Sequence, residues 1–324
     1  MRGPGASVAT ALWRAGCVAI FVIVAMTACG SRETGTQGSS APSRGAFVPG
    51  AGDRSGLVDI GGGRTIYLEC AGSGSPTVVF VSGAGVAADN WSYVGVPNDE
   101  AHPPVRTADA VYPRMARISR ACAYDRPGTG QMDDSPSRSG PVPQPTTAQD
   151  GVADLHAALT AAEVAGPYVL VGHSWGGMIA ATYARTFPDD VSGLVLVDPG
   201  SQYLQSALPK EVWQQWMLDI ASAGNRNRNA ETPDYPASIE ALTATVPKLA
   251  LPTVVLTSDK PFDYLGRGDP DRYWPQWLDA AGQLSVALDA RHVTHTASGH
   301  FIENENAPLV VSAICSVMTP HTGC

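Results

Sequence analysis

Short continuous apolar runs alternate along the chain with segments in which apolar residues recur at helical spacing. The apolar runs have the length of strands that are buried on both faces of a sheet. They cover residues 76–81, 168–171, 194–197 and 254–257, with a weaker run at 293–296. Helical spacing occurs over 148–162, 211–221 and 308–318. Strands that alternate with helices predict a largely parallel sheet covered by helices on both faces, a three-layer α/β fold.

The run from 168 to 181 carries the strongest chemical signal. Its four apolar residues lead into Gly172-His173-Ser174-Trp175-Gly176, and small and apolar residues follow at helical spacing. This is the strand, tight turn and helix of a nucleophile elbow. The turn strains its central residue, and glycines on either side relieve the crowding. The strain lifts the Ser174 hydroxyl to the N-terminus of the following helix, where negative charge is favoured, so Ser174 is the candidate nucleophile.

Residues 1–29 have the pattern of an export signal. Arg2 and Arg14 supply positive charge before a short apolar segment, Cys17 to Met26, and small residues then lead to Cys29. The apolar segment is short for a membrane span. The pattern resembles a bacterial lipoprotein signal, in which the cysteine is acylated and becomes the mature N-terminus. An ordinary secretory signal with an incidental cysteine is the alternative.

We therefore expect an exported protein that is held at the cell envelope, on the membrane, by a lipid at Cys29. Residues 30–56 are rich in Gly, Ser, Thr, Pro and Ala, a composition that cannot bury a core and suits a flexible linker. The folded domain is predicted over 57–324. It opens with a hairpin signal around Gly61-Gly62-Gly63.

Charge and cysteine content narrow the range of partners and environments. The chain has 324 residues and a formal net charge of −9 without basic clusters, so nucleic acid is not an expected partner. Export would place the chain in an oxidising compartment, where disulfides form. Four cysteines remain beyond Cys17 and Cys29, and their number allows three pairings. They are Cys70, Cys122, Cys315 and Cys324.

Several separate motifs share one order with a known family. They are Ser82-Gly83-Ala84-Gly85, Tyr124-Asp125-Arg126-Pro127-Gly128-Thr129-Gly130, the elbow, Leu194-Val195-Leu196-Val197-Asp198-Pro199 and Ser298-Gly299-His300-Phe301. With them the chain resembles the α/β-hydrolase superfamily from about residue 57 to 318. The resemblance implies an eight-stranded, mostly parallel sheet flanked by helices. It also implies a small helical cap between the sixth and seventh strands, here about residues 200–250.

The resemblance also bears on the disulfides. In that fold the second strand neighbours the fourth, and Cys70 ends the former while Cys122 starts the latter. A Cys70–Cys122 bridge is therefore expected. Cys315–Cys324 would then fasten the C-terminal tail.

A serine hydroxyl needs a base that takes its proton. His300 lies near the chain end, where the family places its catalytic histidine, and His295 is interpreted as structural. The side chain of His173, beside the nucleophile, is expected to point away from it. His292, His295 and His300 do not form a metal site with carboxylates or cysteines at ligand spacing, so no metal is expected.

The acid that orients the histidine is ambiguous in the sequence. The usual family position follows the seventh strand, but Pro261 stands in that slot, with Asp259 and Asp263 on either side. A minority of the superfamily places the acid after the sixth strand, where Asp198 lies. We prefer Asp198 and keep Asp259 and Asp263 as alternatives. Asp198 also fits a helix N-cap that opens the cap insertion.

An oxyanion hole needs backbone N–H groups aimed at the developing charge. The residue after the nucleophile, Trp175, supplies one donor. By resemblance Ala84 supplies the other. Ser82 replaces a histidine common in the family, which should matter little because the donors are main-chain groups.

These residues predict a cofactor-independent serine hydrolase that acts on small-molecule carboxylic esters. Serine at the elbow argues against dehalogenase and epoxide-hydrolase chemistry, since those relatives use a carboxylate there. Activity on amides, as in proline-iminopeptidase-like relatives, and a non-catalytic envelope lipoprotein are the alternatives. Asp89 and Asn90 break the helix that a dinucleotide fingerprint after Gly83 would need. In the cap, Trp213, Trp216, Met217 and Leu218 are expected to be helix core rather than an acyl pocket.

Overall fold

The structure is a computed structural model that describes residues 52–95, 103–227, 229–244, 249–318 and Cys324. The predicted export signal, Cys29 and most of the predicted linker lie outside the described residues. Among the helices of the described ranges, none combines the length and the apolar character that crossing a membrane requires.

Eight strands form one sheet in the order β1-β2-β4-β3-β5-β6-β7-β8. They are β1 (Arg54–Gly61), β2 (Arg64–Ala71), β3 (Thr77–Val81), β4 (Ala121–Tyr124), β5 (Tyr168–His173), β6 (Val191–Val197), β7 (Thr253–Leu256) and β8 (Arg291–Val293). β2 pairs antiparallel with β1 and β4, and the other neighbours are parallel. A separate pair joins Tyr93–Val94 to Val105–Arg106. The predicted eight-stranded, mostly parallel sheet is confirmed.

The folded domain begins earlier than predicted. β1 starts at Arg54, which pairs with Cys70, so the linker expected over 30–56 ends before residue 54. The composition of Arg54-Ser55-Gly56 indicated a tether because it offers little to bury. Strand pairing at a sheet edge depends on backbone hydrogen bonds, which this composition supplies as well as any other.

Helices surround the sheet. They are α1 (Val111–Ala116), α2 (Ala148–Ala161), α3 (Trp175–Thr186), α4 (Leu204–Ala207), α5 (Lys210–Arg226), α6 (Tyr235–Ala244), α7 (Pro270–Ala287), α8 (Ile302–Glu305) and α9 (Ala307–Val317). α2 begins with a capping box, in which Thr147 and Asp150 each accept from the backbone of the other. Helices α4 to α6 lie between β6 and β7, where the small cap was predicted over about 200–250.

Alternate residues of each central strand enter two different cores. In β3, Val79 and Val81 face a core shared with α2, α3, α7 and the cap helices. Val78 and Phe80 face a second core shared with α1 and α9. Because both faces are covered, the central strands are apolar throughout, which is why they appear as continuous runs in the sequence.

The last strand is shifted from its prediction. The apolar run indicated residues 293–296, whereas β8 covers Arg291–Val293. Its partner β7 ends at Leu256, so the sheet offers no strand for residues beyond Val293 to pair with. Thr296 instead leaves the sheet, and its hydroxyl donates to the Thr257 carbonyl at 3.0 Å.

Two disulfides join the four remaining cysteines. Cys70 of β2 is bonded to Cys122 of β4, directly across the antiparallel pair, with their Cα atoms 4.1 Å apart. Cys315 of α9 is bonded to Cys324, nine residues further along the chain. The bonded pairs are those that the second-to-fourth strand adjacency implied.

Candidate active site

Ser174 lies in a sharp turn between β5 and α3. Its φ is +52° and its ψ −120°, a backbone conformation that side-chain-bearing residues rarely adopt. Its N–H donates to the Val197 carbonyl of β6 at 3.0 Å, which fixes the turn to the neighbouring strand. Such strain costs about 1–3 kcal/mol and persists where the surrounding structure determines the conformation.

The two glycines of the elbow are required by close backbone approach. A Cβ on Gly172 would lie 2.4 Å from the Gly176 carbonyl oxygen, and one on Gly176 would lie 2.2 Å from that of Val81. Both distances are far inside van der Waals contact with backbone atoms that cannot move independently of the sheet. The glycines therefore permit the crossing of β5, α3 and the end of β3 that holds Ser174.

His300 and Asp198 are brought together from positions 102 residues apart. The His300 Nδ1 atom lies 2.7 Å from Asp198 Oδ2, and the other carboxylate oxygen accepts from the Ser258 N–H at 2.8 Å. The Asp198 side chain is fully buried, and its loop follows β6. A carboxylate only accepts, so Nδ1 carries the proton and Nε2 is left as the basic nitrogen.

The other two candidate acids contact loops and not His300. Asp259 accepts from the N–H groups of Ala297 and Ser298, each at 2.9 Å. Burial raises the pKa of this carboxyl, but the two N–H donors outweigh it and hold the pKa below its ordinary value. Asp263 accepts from the Gly268 N–H at 2.5 Å. Asp259 therefore holds the loop that leads to His300, which lies two residues beyond Ser298.

The N-cap interpretation of Asp198 is wrong. The first helix after β6 is α4, and its N-cap residue is Tyr203. Asp198 itself has a φ of +40°, and its N–H donates to the Leu256 carbonyl at 2.8 Å. Its position is set by this hydrogen bond between the ends of β6 and β7, and not by a helix terminus.

Ser174 and His300 border one cavity of about 660 Å³. The Phe262 ring stacks on the His300 imidazole, with centroids 4.3 Å apart and planes 18° apart, and Trp277 meets it edge-on at 5.4 Å. Lys260 and Glu305 also border the cavity, with Nζ and Oε2 3.6 Å apart. The aromatic members of the lining are Trp216, Tyr235, Phe262, Tyr264, Trp277 and Phe301.

The aromatic residues of the cap divide between two roles. Trp213 is buried in the core formed by the cap and the sheet, as expected. Trp216 is buried in the same core, against Tyr235 at 5.4 Å, but it also borders the cavity. The expected place of Leu218 in the core is wrong: its side chain is exposed, on the outer face of α5. The amphipathic spacing shows which face is buried, but it does not distinguish core from cavity wall.

The candidate oxyanion donors flank the nucleophile. Ala84 borders the cavity, in the turn that follows β3. Trp175 is the first residue of α3, so its N–H has no partner within the helix. The Ser82 hydroxyl is turned away from this region, since it donates to the Ala87 carbonyl and accepts from the Trp91 indole, both at 3.0 Å.

His173 points away from the nucleophile and into the interior. Its Nε2 atom lies 3.0 Å from the His300 carbonyl oxygen, to which it donates, and its Nδ1 atom lies 3.1 Å from Glu303 Oε1. Burial, with the nearby His300, lowers the pKa of His173 well below its ordinary value, so the ring is neutral. Burial raises the pKa of Glu303 to about 8, so at neutral pH a protonated carboxyl faces an unprotonated ring nitrogen.

Glu303 is the residue that sequence reasoning missed. It is buried on α8 and also accepts from the Asn90 side-chain amide at 3.0 Å. A glutamate three residues beyond a histidine is unremarkable in a sequence. Only the packing of α8 against His173 gives it a role.

The remaining histidines do not assemble a metal site. His292 Nε2 lies 2.7 Å from the Thr257 hydroxyl, and His295 is exposed. Within the ranges that the structure covers, no three His, Cys, Asp or Glu side chains are grouped so that they could hold a metal ion.

The strand order and the strand, turn and helix around Ser174 are those of the α/β-hydrolase fold. A model of the alpha/beta hydrolase family matches residues 78–313, and the chain belongs to this family. The match begins in β3 and ends in α9. It therefore includes the elbow, the cap insertion and the His300 loop.

Individual relatives are distant. The chain is 31% identical over 131 residues to YqjL of Bacillus subtilis, an alignment that covers 40% of this chain and 41% of that protein. It is 24% identical over 202 residues to the proline iminopeptidase of Heyndrickxia coagulans, covering 57% and 58% of the two chains. The chain thus spans well under two thirds of the length of these curated relatives.

A solved structure extends the likeness over the whole domain. A thermophilic esterase from Thermogutta terrifontis superposes with a TM-score of 0.51 and 17% identity, over 81% of this chain and 97% of that one. At this identity the likeness concerns the fold alone. A peptidase and an esterase thus both stand among the similar proteins.

Glu303→Gln should remove a pH dependence of stability. The Glu303 pKa is about 8 in the folded chain and 4.5 ordinarily, so the folded state holds the proton more tightly. The contribution of Glu303 to the free energy of unfolding is fully present below pH 4.5 and is lost as the pH rises to about 8. Glutamine keeps the shape of the side chain but does not titrate. Urea unfolding at pH 5, 7 and 9 should show wild type losing stability relative to this variant as pH rises.

The matched control is Glu211→Gln, which changes an exposed carboxyl on α5. It should follow the wild-type profile throughout. If the Glu303→Gln and wild-type unfolding free energies stay parallel across the range, Glu303 is not protonated in the folded protein.

Proposed function

We propose that this protein hydrolyses carboxylic esters through Ser174, His300 and Asp198, without a cofactor. The observation that carries the proposal is the 2.7 Å contact between His300 Nδ1 and a fully buried Asp198 carboxylate, at the edge of the cavity that Ser174 also borders. A buried carboxylate that fixes the imidazole tautomer leaves the other ring nitrogen available as a base towards the serine.

In this mechanism the Ser174 Oγ attacks the ester carbonyl carbon while its proton passes to His300 Nε2. Asp198 stabilises the imidazolium that forms. The carbonyl oxygen becomes an oxyanion, which the Ala84 and Trp175 N–H groups stabilise. Collapse breaks the bond to the alkoxy group, which leaves as an alcohol with the proton from His300. Water then attacks the acyl-enzyme by the same route and releases the acid.

The cavity favours an uncharged, apolar ester. Its lining is rich in aromatic side chains, and apolar contact is what such a lining offers a ligand. A second cavity of about 610 Å³ is bordered by Ile220 and Pro233, which also border the first. We therefore expect small-molecule esters with alkyl or aryl groups as substrates.

Cleavage of N-terminal residues, as the name of the Heyndrickxia relative states for that protein, is the second candidate. It requires an acidic group to receive the substrate ammonium. The two carboxylates of the cavity wall already have partners. Glu305 accepts from the Gly299 N–H at 3.0 Å and lies beside Lys260, and Asp263 accepts from Gly268. This observation favours the ester.

Substitutions should distinguish Asp198, the proposed acid of the triad, from Asp259, which binds the His300 loop. Ser174→Ala and His300→Ala should each lower kcat for a nitrophenyl ester by about 10⁴-fold or more. Asp198→Asn should lower kcat by roughly 10³- to 10⁴-fold, because the amide cannot stabilise the imidazolium. Asp259→Asn keeps one of the two acceptors for the His300 loop and should cost less than about tenfold. Steady-state kinetics at neutral pH measure all four.

Asp259→Asn is the matched control, since it also neutralises one carboxyl next to β7. Near-normal turnover by Asp198→Asn, or a larger loss in Asp259→Asn, would contradict the assignment of the acid.

A substrate panel should separate the candidate functions. Wild type should hydrolyse nitrophenyl esters over a series of acyl lengths and leave prolyl and alanyl nitroanilides nearly untouched. A fluorophosphonate should label wild type and fail to label Ser174→Ala, because it forms its adduct on an activated serine. Higher kcat/KM for the anilides would indicate an aminopeptidase. Absence of labelling in folded wild type would indicate a non-catalytic lipoprotein.

We also propose that the chain is exported and anchored to the cell membrane by a lipid at Cys29, which the Met26-Thr27-Ala28-Cys29 pattern supports. Expressed in a bacterial host, wild type should incorporate labelled palmitate and sediment with membranes. Cys29→Ala should lose the label. Cys17→Ala, which changes the other cysteine of the segment, should keep it. Unlabelled wild type, or label that persists in Cys29→Ala, would refute the anchor.

A further inference from the structure

Arg126 and Glu231 form a buried ion pair beside the proposed active site that the ester mechanism does not use. Their side chains are 4% and 2% exposed. Two contacts join them, from Nε to Oε1 at 2.5 Å and from Nη2 to Oε2 at 3.0 Å. Burial by itself lowers the pKa of the Arg126 guanidinium, but the attraction of Glu231 outweighs it and raises that pKa, so the group is charged.

The pair joins the cap to the sheet. Arg126 lies just after β4, in the loop that the motif analysis assigned to a structural turn. Glu231 lies between α5 and α6, within the cap insertion. The Glu231 N–H donates to the Gly128 carbonyl at 2.9 Å, and a Cβ on Gly128 would lie 2.5 Å from the Glu231 nitrogen. Gly128 therefore admits the cap segment to close contact with the Arg126 loop.

Both members of the pair bind the backbone of the turn that holds Ala84. Arg126 donates from Nη1 to the Ser82 carbonyl at 2.8 Å and from Nη2 to the Gly83 carbonyl at 2.6 Å. The Gly85 N–H donates to Glu231 Oε2 at 2.6 Å. Contacts between charged side chains and backbone are among the stronger hydrogen bonds, and here they hold the turn on both sides of Ala84.

Peptide planarity links these contacts to the oxyanion donor. The Gly83 carbonyl and the Ala84 N–H belong to one planar trans peptide and point in opposite directions. Because the Gly83 carbonyl is drawn to Arg126, the Ala84 N–H is directed away from Arg126. Ala84 borders the cavity, where the developing charge would lie.

We propose that Arg126 and Glu231 are positioning residues that orient the Ala84 N–H as an oxyanion donor, so that turnover depends on how the cap is seated. The inference rests on the proposed ester hydrolysis and adds a cap residue to it. Since Glu231 belongs to the insertion, displacement of the cap removes the acceptor of Gly85 and one partner of Arg126. The same insertion that shapes the substrate cavity would then also assemble the charge-stabilising turn.

The test uses Glu231→Gln and Glu231→Asp in the full chain. Glutamine removes the charge with little change in shape, and aspartate keeps the charge but is too short to serve Gly85 and Arg126 together. An oxyanion donor acts in the transition state, so both variants should lower kcat for a nitrophenyl ester by about 10- to 100-fold and change KM less than about threefold. Rates are corrected for the folded fraction measured by circular dichroism.

A second readout reports on the oxyanion itself. An alkyl trifluoromethyl ketone inhibits serine hydrolases by accepting the serine oxygen at its carbonyl carbon, which creates an oxyanion, whereas the matching methyl ketone binds mainly as an uncharged ligand. In the Glu231 variants the trifluoromethyl ketone Ki should rise in proportion to the loss of kcat. The methyl ketone Ki should stay near the wild-type value. If the Arg126–Glu231 pair only stabilised the fold, neither the trifluoromethyl ketone Ki nor the methyl ketone Ki of the folded fraction would change.

Asp154→Asn is the matched control. Asp154 forms a two-point ion pair with Arg64, at 2.7 and 2.6 Å, between α2 and β2. It should reduce stability and leave kcat, KM and the two Ki values unchanged for the folded fraction.

The proposal is overturned if the folded Glu231 variants match wild type in kcat and trifluoromethyl ketone Ki, or if Asp154→Asn loses kcat equally. It is also overturned if neither Glu231 variant folds, since the pair would then serve stability. If wild type itself fails to hydrolyse the ester and to bind the trifluoromethyl ketone, the proposed function fails and this inference falls with it. Active wild type with unaffected variants refutes only the positioning role.

Discussion

The close approach of three backbone segments beneath Ser174 is the constraint on which the site depends. β5, α3 and the end of β3 cross at Gly172 and Gly176, where any side chain would collide with a carbonyl oxygen at 2.4 Å or less. This crossing holds Ser174 at a φ of +52°, and Ser174 in turn donates to Val197 of β6. The strain of about 1–3 kcal/mol is sustained by a sheet whose strands are buried on both faces.

The histidine and its loop are held by a different set of contacts, which include two aspartates that follow β6 and β7. Asp198 contacts the imidazole, and Asp259 binds the backbone N–H groups of the loop that leads to it. Pro261, in the slot where the family resemblance expects an acid, has neither a carboxylate nor a backbone N–H to offer the histidine.

Two buried pairs of polar side chains lie near the site, and they differ in charge. Burial raises the pKa of Glu303 and lowers that of His173, which favours the uncharged form of each, whereas Arg126 and Glu231 form an ion pair. The neutral pair supports the His300 carbonyl and the charged pair supports the turn at Ala84. Each side of the proposed reaction centre therefore has a buried polar support, one from α8 and one from the cap.

Local patterning and fixed spacing are enough to predict the fold class, the sheet, the nucleophile-elbow motif and His300 as the candidate base. Strand burial appears as continuous apolar runs, and a strained turn appears as glycines at fixed distances from Ser174. The three-dimensional contacts were needed to show that Asp198 is the aspartate that contacts His300, where β1 and β8 begin and end, and that Glu303 contacts His173 while Glu231 contacts Gly85. The carboxylate contacts join residues far apart in the chain: Ser258 lies 60 positions from Asp198, and Gly85 lies 146 positions from Glu231. Such contacts leave no periodic trace, since the chain between the partners only has to bring them together.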